Sequence, residues 1–244
     1  MEKLQLMDSS GKLPFLERVL RGQGHADSRL EILEAGCGQR WLLKLEGKKF
    51  FLTGVDLDAD ALALRTKIRK DLDEAIHGDL REIRFAPGRF DVIYCAFVLE
   101  HIEGAERVLS RMVEWLKPDG IVVLEIPDPA SVKGVVTRMS PHWFHVFYYR
   151  WLLGIKTAGR SGHGPYRTYF DSVVSRSGIR SFCAQHGLRV ESEYGFATDG
   201  PRNRAKRALV EFATKAVSIL SLGRFSDRHA DLLYVLRRTS EASA

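Results

Sequence analysis

Over its first 127 residues the chain alternates between short continuous apolar runs and longer stretches whose apolar residues recur every three or four positions. That alternation belongs to βαβ units, which can bury both faces of a sheet only by covering it with helices, so it predicts a parallel sheet. The runs Leu30 to Glu34, Phe50 to Val55, Phe90 to Tyr94 and Ile121 to Ile126 are bounded by Gly, Asp or Pro and read as buried strands, with a weaker strand at Ala75 to His77. Ala105, Val108, Leu109, Met112, Val113 and Leu116 form one helical stripe, which Lys117-Pro118-Asp119-Gly120 should stop in a turn. A second helix is expected after Asp58, a candidate cap, with Ala61, Leu64, Ile68 and Leu72 facing the sheet.

Beyond Pro127 the pattern changes. A stretch punctuated by Pro and Gly holds six aromatic residues between Pro141 and Trp151. A helix is expected over 171–186, strands over 188–194 and 232–236, and an amphipathic helix over 202–220. That last helix would gather Ala205, Ala208, Leu209, Phe212, Ala213, Ala216, Val217 and Leu220 on one face, while Arg202, Arg204, Lys206 and Arg207 crowd its start. The expected architecture is α/β: a Rossmann-like, seven-stranded, mostly parallel sheet with helices on both faces. No linker divides the 244 residues, so a single domain is expected, with insertions at about 128–170 and 196–228 on one side.

Charge is unevenly distributed. The net charge of +6 arises from −3 over residues 1–127 and +9 over residues 128–244, which points the second half toward something anionic. Three widely spaced cysteines, at 37, 95 and 183, support neither a disulfide framework nor a metal cluster, and no metal site is expected. Without a signal peptide or an apolar run long enough to span a bilayer, the expected location is cytoplasmic, peripheral at most to the inner face of a membrane.

The chemistry centres on Glu34-Ala35-Gly36-Cys37-Gly38, directly after the first long strand. Glycines there let backbone approach a ligand closely, and Asp56, at the end of the next strand, can accept both hydroxyls of a ribose. Together they indicate a nucleoside-containing cofactor. A dinucleotide fingerprint would need glycine where Trp41 stands, and no Gly-Lys-Ser/Thr of a nucleotide-phosphate loop is present.

In order, ILEAGCG (Ile32 to Gly38), GVDLD (Gly54 to Asp58), HGDL (His77 to Leu80), FDVIYCAFVLEHI (Phe90 to Ile102) and LKPDGIVVLEIP (Leu116 to Pro127) resemble the class I S-adenosylmethionine (SAM) dependent methyltransferases. The likeness is to the small-molecule type related to ubiquinone and menaquinone biosynthesis enzymes. The resemblance implies SAM as cofactor. It implies that Gly36, Cys37 and Gly38 pass their backbone against the methionine part, with Glu34 beneath. Asp56 and the neighbouring Leu57 would meet the ribose, Asp79 and Leu80 would flank the adenine, and Cys95, Ala96 and Phe97 would line the sulfonium. Many members carry glycine two residues after Gly38; this chain has Arg40.

A base is needed when the acceptor is a hydroxyl. His163, in a glycine-rich loop with two tyrosines, is the first candidate and His101 the second; His142 and His145 are others. The expected acceptor is a small-molecule or lipid- or glycan-linked anionic compound, methylated at a hydroxyl oxygen. Two alternatives stand beside it: an RNA methyltransferase, favoured only by the basic half, and a non-catalytic SAM-binding scaffold. Neither a Pro-Cys pair nor an Asn/Asp-Pro-Pro-aromatic loop, features of nucleic-acid-methylating families, occurs in the chain.

Overall fold

The computed structural model describes residues 4–25, 28–152, 154–159, 166–169, 171–196 and 203–239. Eight strands form one sheet in the order β1-β7-β8-β6-β5-β2-β3-β4. They are β1 (Gln5–Met7), β2 (Leu30–Ala35), β3 (Phe50–Asp56), β4 (Glu74–His77), β5 (Phe90–Ala96), β6 (Leu116–Pro127), β7 (Leu188–Phe196) and β8 (Asp231–Arg238). All neighbouring pairs are parallel except those of β8, which runs antiparallel to both β6 and β7. The count exceeds the expected seven by β1, an edge strand of three residues too short to carry a period.

The central strands are buried on both faces, which is why they read as unbroken apolar runs. Leu33, Ile93, Val122 and Leu124 pack under α3 (Ala105–Trp115) and α6 (Arg176–Gln185). Ile32, Leu52, Val92 and Val123 face the opposite way, toward Leu16 and Leu20 of α1 (Ser9–Arg21). Each fully buried Leu or Ile of this kind contributes about 2 kcal/mol of transfer free energy.

Three local expectations are corrected. Residues 117–120 do not form a turn ahead of β6 but bulge within it: pairing passes from Phe90↔Leu116 to Val92↔Ile121, with Asp119 at φ +61°. Helix α6 starts only at Arg176, where the Ser175 side chain accepts the Gly178 N–H. The helix after Asp58 is capped as expected, the Asp58 carboxylate accepting from the N–H groups of Asp60 and Ala61. However, α2 (Ala59–Ala63) then widens into a π-helical turn over Leu64–Arg69. The extra residue per turn rotates the stripe, so Ile68 is 74% exposed and Arg65 is wholly buried.

Strand order reverses between β2 and β5, which lie side by side although β3 and β4 intervene in sequence. Their carboxyl ends therefore open a crevice, the usual ligand position in such sheets. The segments beyond Pro127 add α4 (Val132–Met139), α5 (His142–Phe147), a π-helical turn over Tyr148–Leu152 and α7 (Arg204–Leu220).

Candidate cofactor site

The glycine loop leaves β2 at the crevice. Gly36 has φ +73° and presses on Val98, whose side chain would collide with any Cβ placed there. Gly38 has φ +53° and open space where its Cβ would be. One position thus needs glycine for packing, and the other leaves room above the loop. The Gly36 and Cys37 N–H groups donate to Val55 O at 2.8 and 3.0 Å, tying the loop to β3.

Asp56 sits at the end of β3, half-buried, and faces the loop. Its Oδ2 accepts the Gly38 N–H at 2.7 Å and its Oδ1 accepts the Asp58 N–H at 2.9 Å. Each oxygen has one lone pair engaged and another available, so the carboxylate can accept two hydroxyls from a vicinal diol. Gly78 N–H donates to Asp56 O at 3.0 Å, which brings the next loop alongside. In that loop Leu80 is buried, and the Asp79 carboxyl is held below its ordinary range by the Arg81 guanidinium, which contacts it at 2.6 Å. Leu57, between the two acidic positions, is 66% exposed and offers an apolar edge.

A cleft of about 240 Å³ is lined by Glu34, the glycine loop, Arg40, Leu42, Tyr94 and Ala96. The end of β5 divides the three residues expected there. Ala96 lines the cleft, and Phe97 is exposed at φ +56°, an unusual conformation for a bulky side chain. Its N–H donates to Glu125 O and its ring meets that of Phe196 edge-on at 6.5 Å. Cys95 does not join them: strand alternation turns its thiol into the core, and burial raises its pKa well above the ordinary value. The Cys37 thiol is also buried and pushed up to about 12, so this residue presents backbone, not sulfur, to the cleft.

Sequence reasoning missed the group that braces the loop. Arg65 Nη2 donates to Glu34 Oε2 at 2.9 Å, Nη1 to Cys37 O at 2.7 Å, and Nε to Asp71 Oδ1 at 2.6 Å. Asp71 in turn accepts the Trp41 N–H through Oδ2. The signal was available, because Arg65 stands four residues after Ala61 and so places a charge on the inward helical face. Burial pushes the Glu34 carboxyl up to about 8, with Arg65 opposing the rise. A second missed chain crosses the sheet: Glu125, 1% exposed, accepts from Tyr94 Oη at 2.6 Å and from Lys12 Nζ of α1 at 2.7 Å.

Of the candidate bases, His163 lies outside the described residues. His101 is placed at the mouth of β5, in a short 3-10 turn. Its Nδ1 is 2.8 Å from Arg167 O, an acceptor, so Nδ1 carries the proton and Nε2 keeps its lone pair. Burial lowers its pKa below the ordinary histidine value, favouring the neutral ring. Its Nε2 is 3.8 Å from Glu100 Oε1. Glu100 is buried, its Oε2 has no hydrogen-bond partner among the described residues, and desolvation raises its carboxyl to about 8. Residues 166–169 lean on this pair, through the Tyr166 ring against His101 and the Tyr169 N–H donated to Glu100 O. His145 is instead taken up by Ser140 Oγ at 2.8 Å. Among the described residues no cluster of side chains could hold a metal ion, and no helix is long and apolar enough to cross a membrane.

The chain is similar to known proteins. A family model described as a methyltransferase domain matches residues 11–193. The chain is similar to a ubiquinone biosynthesis O-methyltransferase of Rickettsia canadensis, at 28% identity over 73% of this chain and 71% of that protein. It is 32% identical to the mitochondrial ubiquinone biosynthesis O-methyltransferase of Schizosaccharomyces pombe over 50% of this chain, and spans only 46% of that relative's length. An S-adenosylmethionine dependent methyltransferase from Mesorhizobium loti shares the fold at TM-score 0.56 and 18% identity, over 91% of this chain and 96% of that one. A SAM dependent methyltransferase from Archaeoglobus fulgidus does so at TM-score 0.54 and 15% identity, over 93% of each.

Proposed function

Since the chain belongs to the methyltransferase-domain family, the class I SAM-dependent enzymes, we propose that it transfers a methyl group from SAM to a hydroxyl oxygen of a small anionic or lipid-linked acceptor. The observation that carries the cofactor half is the 2.7 Å bond from the Gly38 N–H to Asp56 Oδ2, which sets a ribose-binding carboxylate against an open glycine loop. Oxygen as the target is supported by the relatives, named as O-methyltransferases, and by the neutral imidazole of His101.

When SAM is bound, it supplies a methyl group already activated on a sulfonium. The chain's own task is therefore to orient and to exclude water. The backbone of Gly36, Cys37 and Gly38 would hold the methionine part, with Glu34 below it. Asp56 and Leu57 would meet the ribose, and Asp79 and Leu80 the adenine. Ala96 and Phe97 would present the acceptor side. His101 Nε2 would accept the proton of the acceptor hydroxyl; His163, first choice from sequence, is the other residue proposed for this task.

The basic second half supports an acceptor carrying phosphate or carboxylate, or one attached to a polyprenyl chain and met at the inner face of a membrane. The test is transfer of labelled methyl from SAM to pools of hydroxyl-bearing small molecules, polyprenyl-linked hydroxyl compounds and RNA. Label in either of the first two pools supports the proposal. Label in RNA alone replaces it with the RNA-methylating reading, and retained SAM without turnover replaces it with the scaffold reading.

A further inference from the structure

Helix α7 leaves the bulky part of its apolar stripe uncovered. Leu209, Phe212 and Leu220 of that stripe are 60%, 73% and 83% exposed, and no residue of the helix is fully buried. The half-buried residues are Lys206, Val210, Thr214 and Ser218, together with Ala216 and Val217 of the stripe itself. The aromatic run behaves likewise: Trp143, Phe147 and Trp151, one helical face at steps of four, are 69%, 52% and 56% exposed. Among the described residues, twelve of the seventeen exposed large apolar side chains fall between residues 136 and 222, so the apolar surface described is concentrated in the segments added beyond Pro127.

The two segments are joined through Lys206, on the half-buried side of α7. Lys206 Nζ donates to Trp151 O at 2.6 Å and lies 4.4 Å from the centre of the Trp151 ring, which itself stacks on Phe147. Around them, residues 128–159 and 203–229 carry ten Lys and Arg against three Asp and Glu. Apolar helical stripes with tryptophan, rimmed by cations, suit the plane between lipid headgroups and acyl chains.

We propose that α5, its π-helical turn and α7 form a docking face for an anionic lipid bilayer, with Trp143, Phe147, Trp151, Leu209, Phe212 and Leu220 entering the headgroup boundary. This deepens the lipid-linked acceptor reading and rests on it for its purpose, since docking would bring the crevice to an acceptor held in the membrane. Charge selects this occupant. A second copy would set one cationic face against another, and a polynucleotide would use the aromatics for stacking but leave the Leu209 to Leu220 stripe in water.

The test is flotation of the full chain with phosphatidylglycerol-phosphatidylcholine vesicles and with phosphatidylcholine alone. The expected result is binding to the anionic vesicles that weakens at high salt, with a blue shift of tryptophan emission. The pairs Leu209→Ser with Phe212→Ser, and Trp143→Ala with Trp151→Ala, should each weaken binding tenfold or more. Arg204→Gln with Arg207→Gln should weaken it mainly at low salt. All three should keep the circular dichroism and SAM affinity of the parent. No flotation of the parent chain overturns the proposal, as does a dimer that the two apolar pairs convert to monomer, or salt-dependent RNA binding lost in the same variants. Vesicle binding together with methylation confined to soluble acceptors leaves the docking face standing and removes the lipid-linked acceptor, so the two failures are distinct.

Discussion

Arg65 Nη1 donates to the backbone carbonyl of Cys37 at 2.7 Å, so a wholly buried guanidinium on a π-helical turn braces the glycine loop from beneath. The same side chain holds Glu34 and Asp71, and Asp71 holds the Trp41 N–H. These contacts secure the loop at the place where Arg40 and Trp41 stand instead of further glycines. Arg65 would thus act on the cofactor through the loop's shape, as a positioning residue.

Arg65→Met should leave Glu34 and Cys37 O without their buried donor and lower stability by about 3 kcal/mol, read as a fall in the denaturation midpoint. Arg65→Lys keeps the charge but not the forked geometry. At a temperature where this variant stays folded, the KM for SAM should rise roughly tenfold while kcat changes little. An unchanged KM would show that the brace serves folding alone.

His101→Gln should lower kcat by about a hundredfold with SAM affinity intact, as expected when a proton acceptor is removed. Because the imidazole pKa is lowered by burial, the kcat of the parent should rise with pH through a value below the ordinary histidine range. If His163→Ala shows the larger loss, the task belongs to His163; negligible change in both variants would mean that positioning suffices.

Glu100 gives the fold a pH dependence of opposite sign to that of a paired carboxylate. Its folded pKa is raised to about 8, so between the ordinary value of 4.5 and 8 the unfolded chain ionises while the folded one must hold the proton. Stability from this group is complete below 4.5 and is lost as pH rises toward 8. Glu100→Gln should therefore flatten the fall in melting temperature over that window and gain about 2 kcal/mol at pH 8. Parallel melting curves for parent and variant would contradict the assignment.

The parts that were legible in sequence are those where period and chemistry coincide. Leu30 to Glu34 and Phe90 to Tyr94 announce buried strands because both their faces are covered, and Gly36 and Asp56 announce a crevice because strand ends with those residues have few other uses. The π-helical turn was hidden: a 3.6-residue period places both Arg65 and Ile68 on the face of Ala61, and the wider turn keeps Arg65 inward while carrying Ile68 out to solvent. Cys95 was placed by its position in a motif, whereas the pleat turns it into the core and brings its neighbours to the rim. In α7 the periodicity was visible but not its direction, since an apolar stripe predicts burial without naming what covers it.

Asp56 is the carboxylate proposed to hold the cofactor's ribose beside the glycine loop. Calorimetric titration of SAM into the full chain and into its Asp56→Ala variant tests this. One site per chain in the parent, weakened in a folded variant by about 2 kcal/mol or roughly thirtyfold, is the predicted result. Equal affinity in parent and folded variant would contradict it.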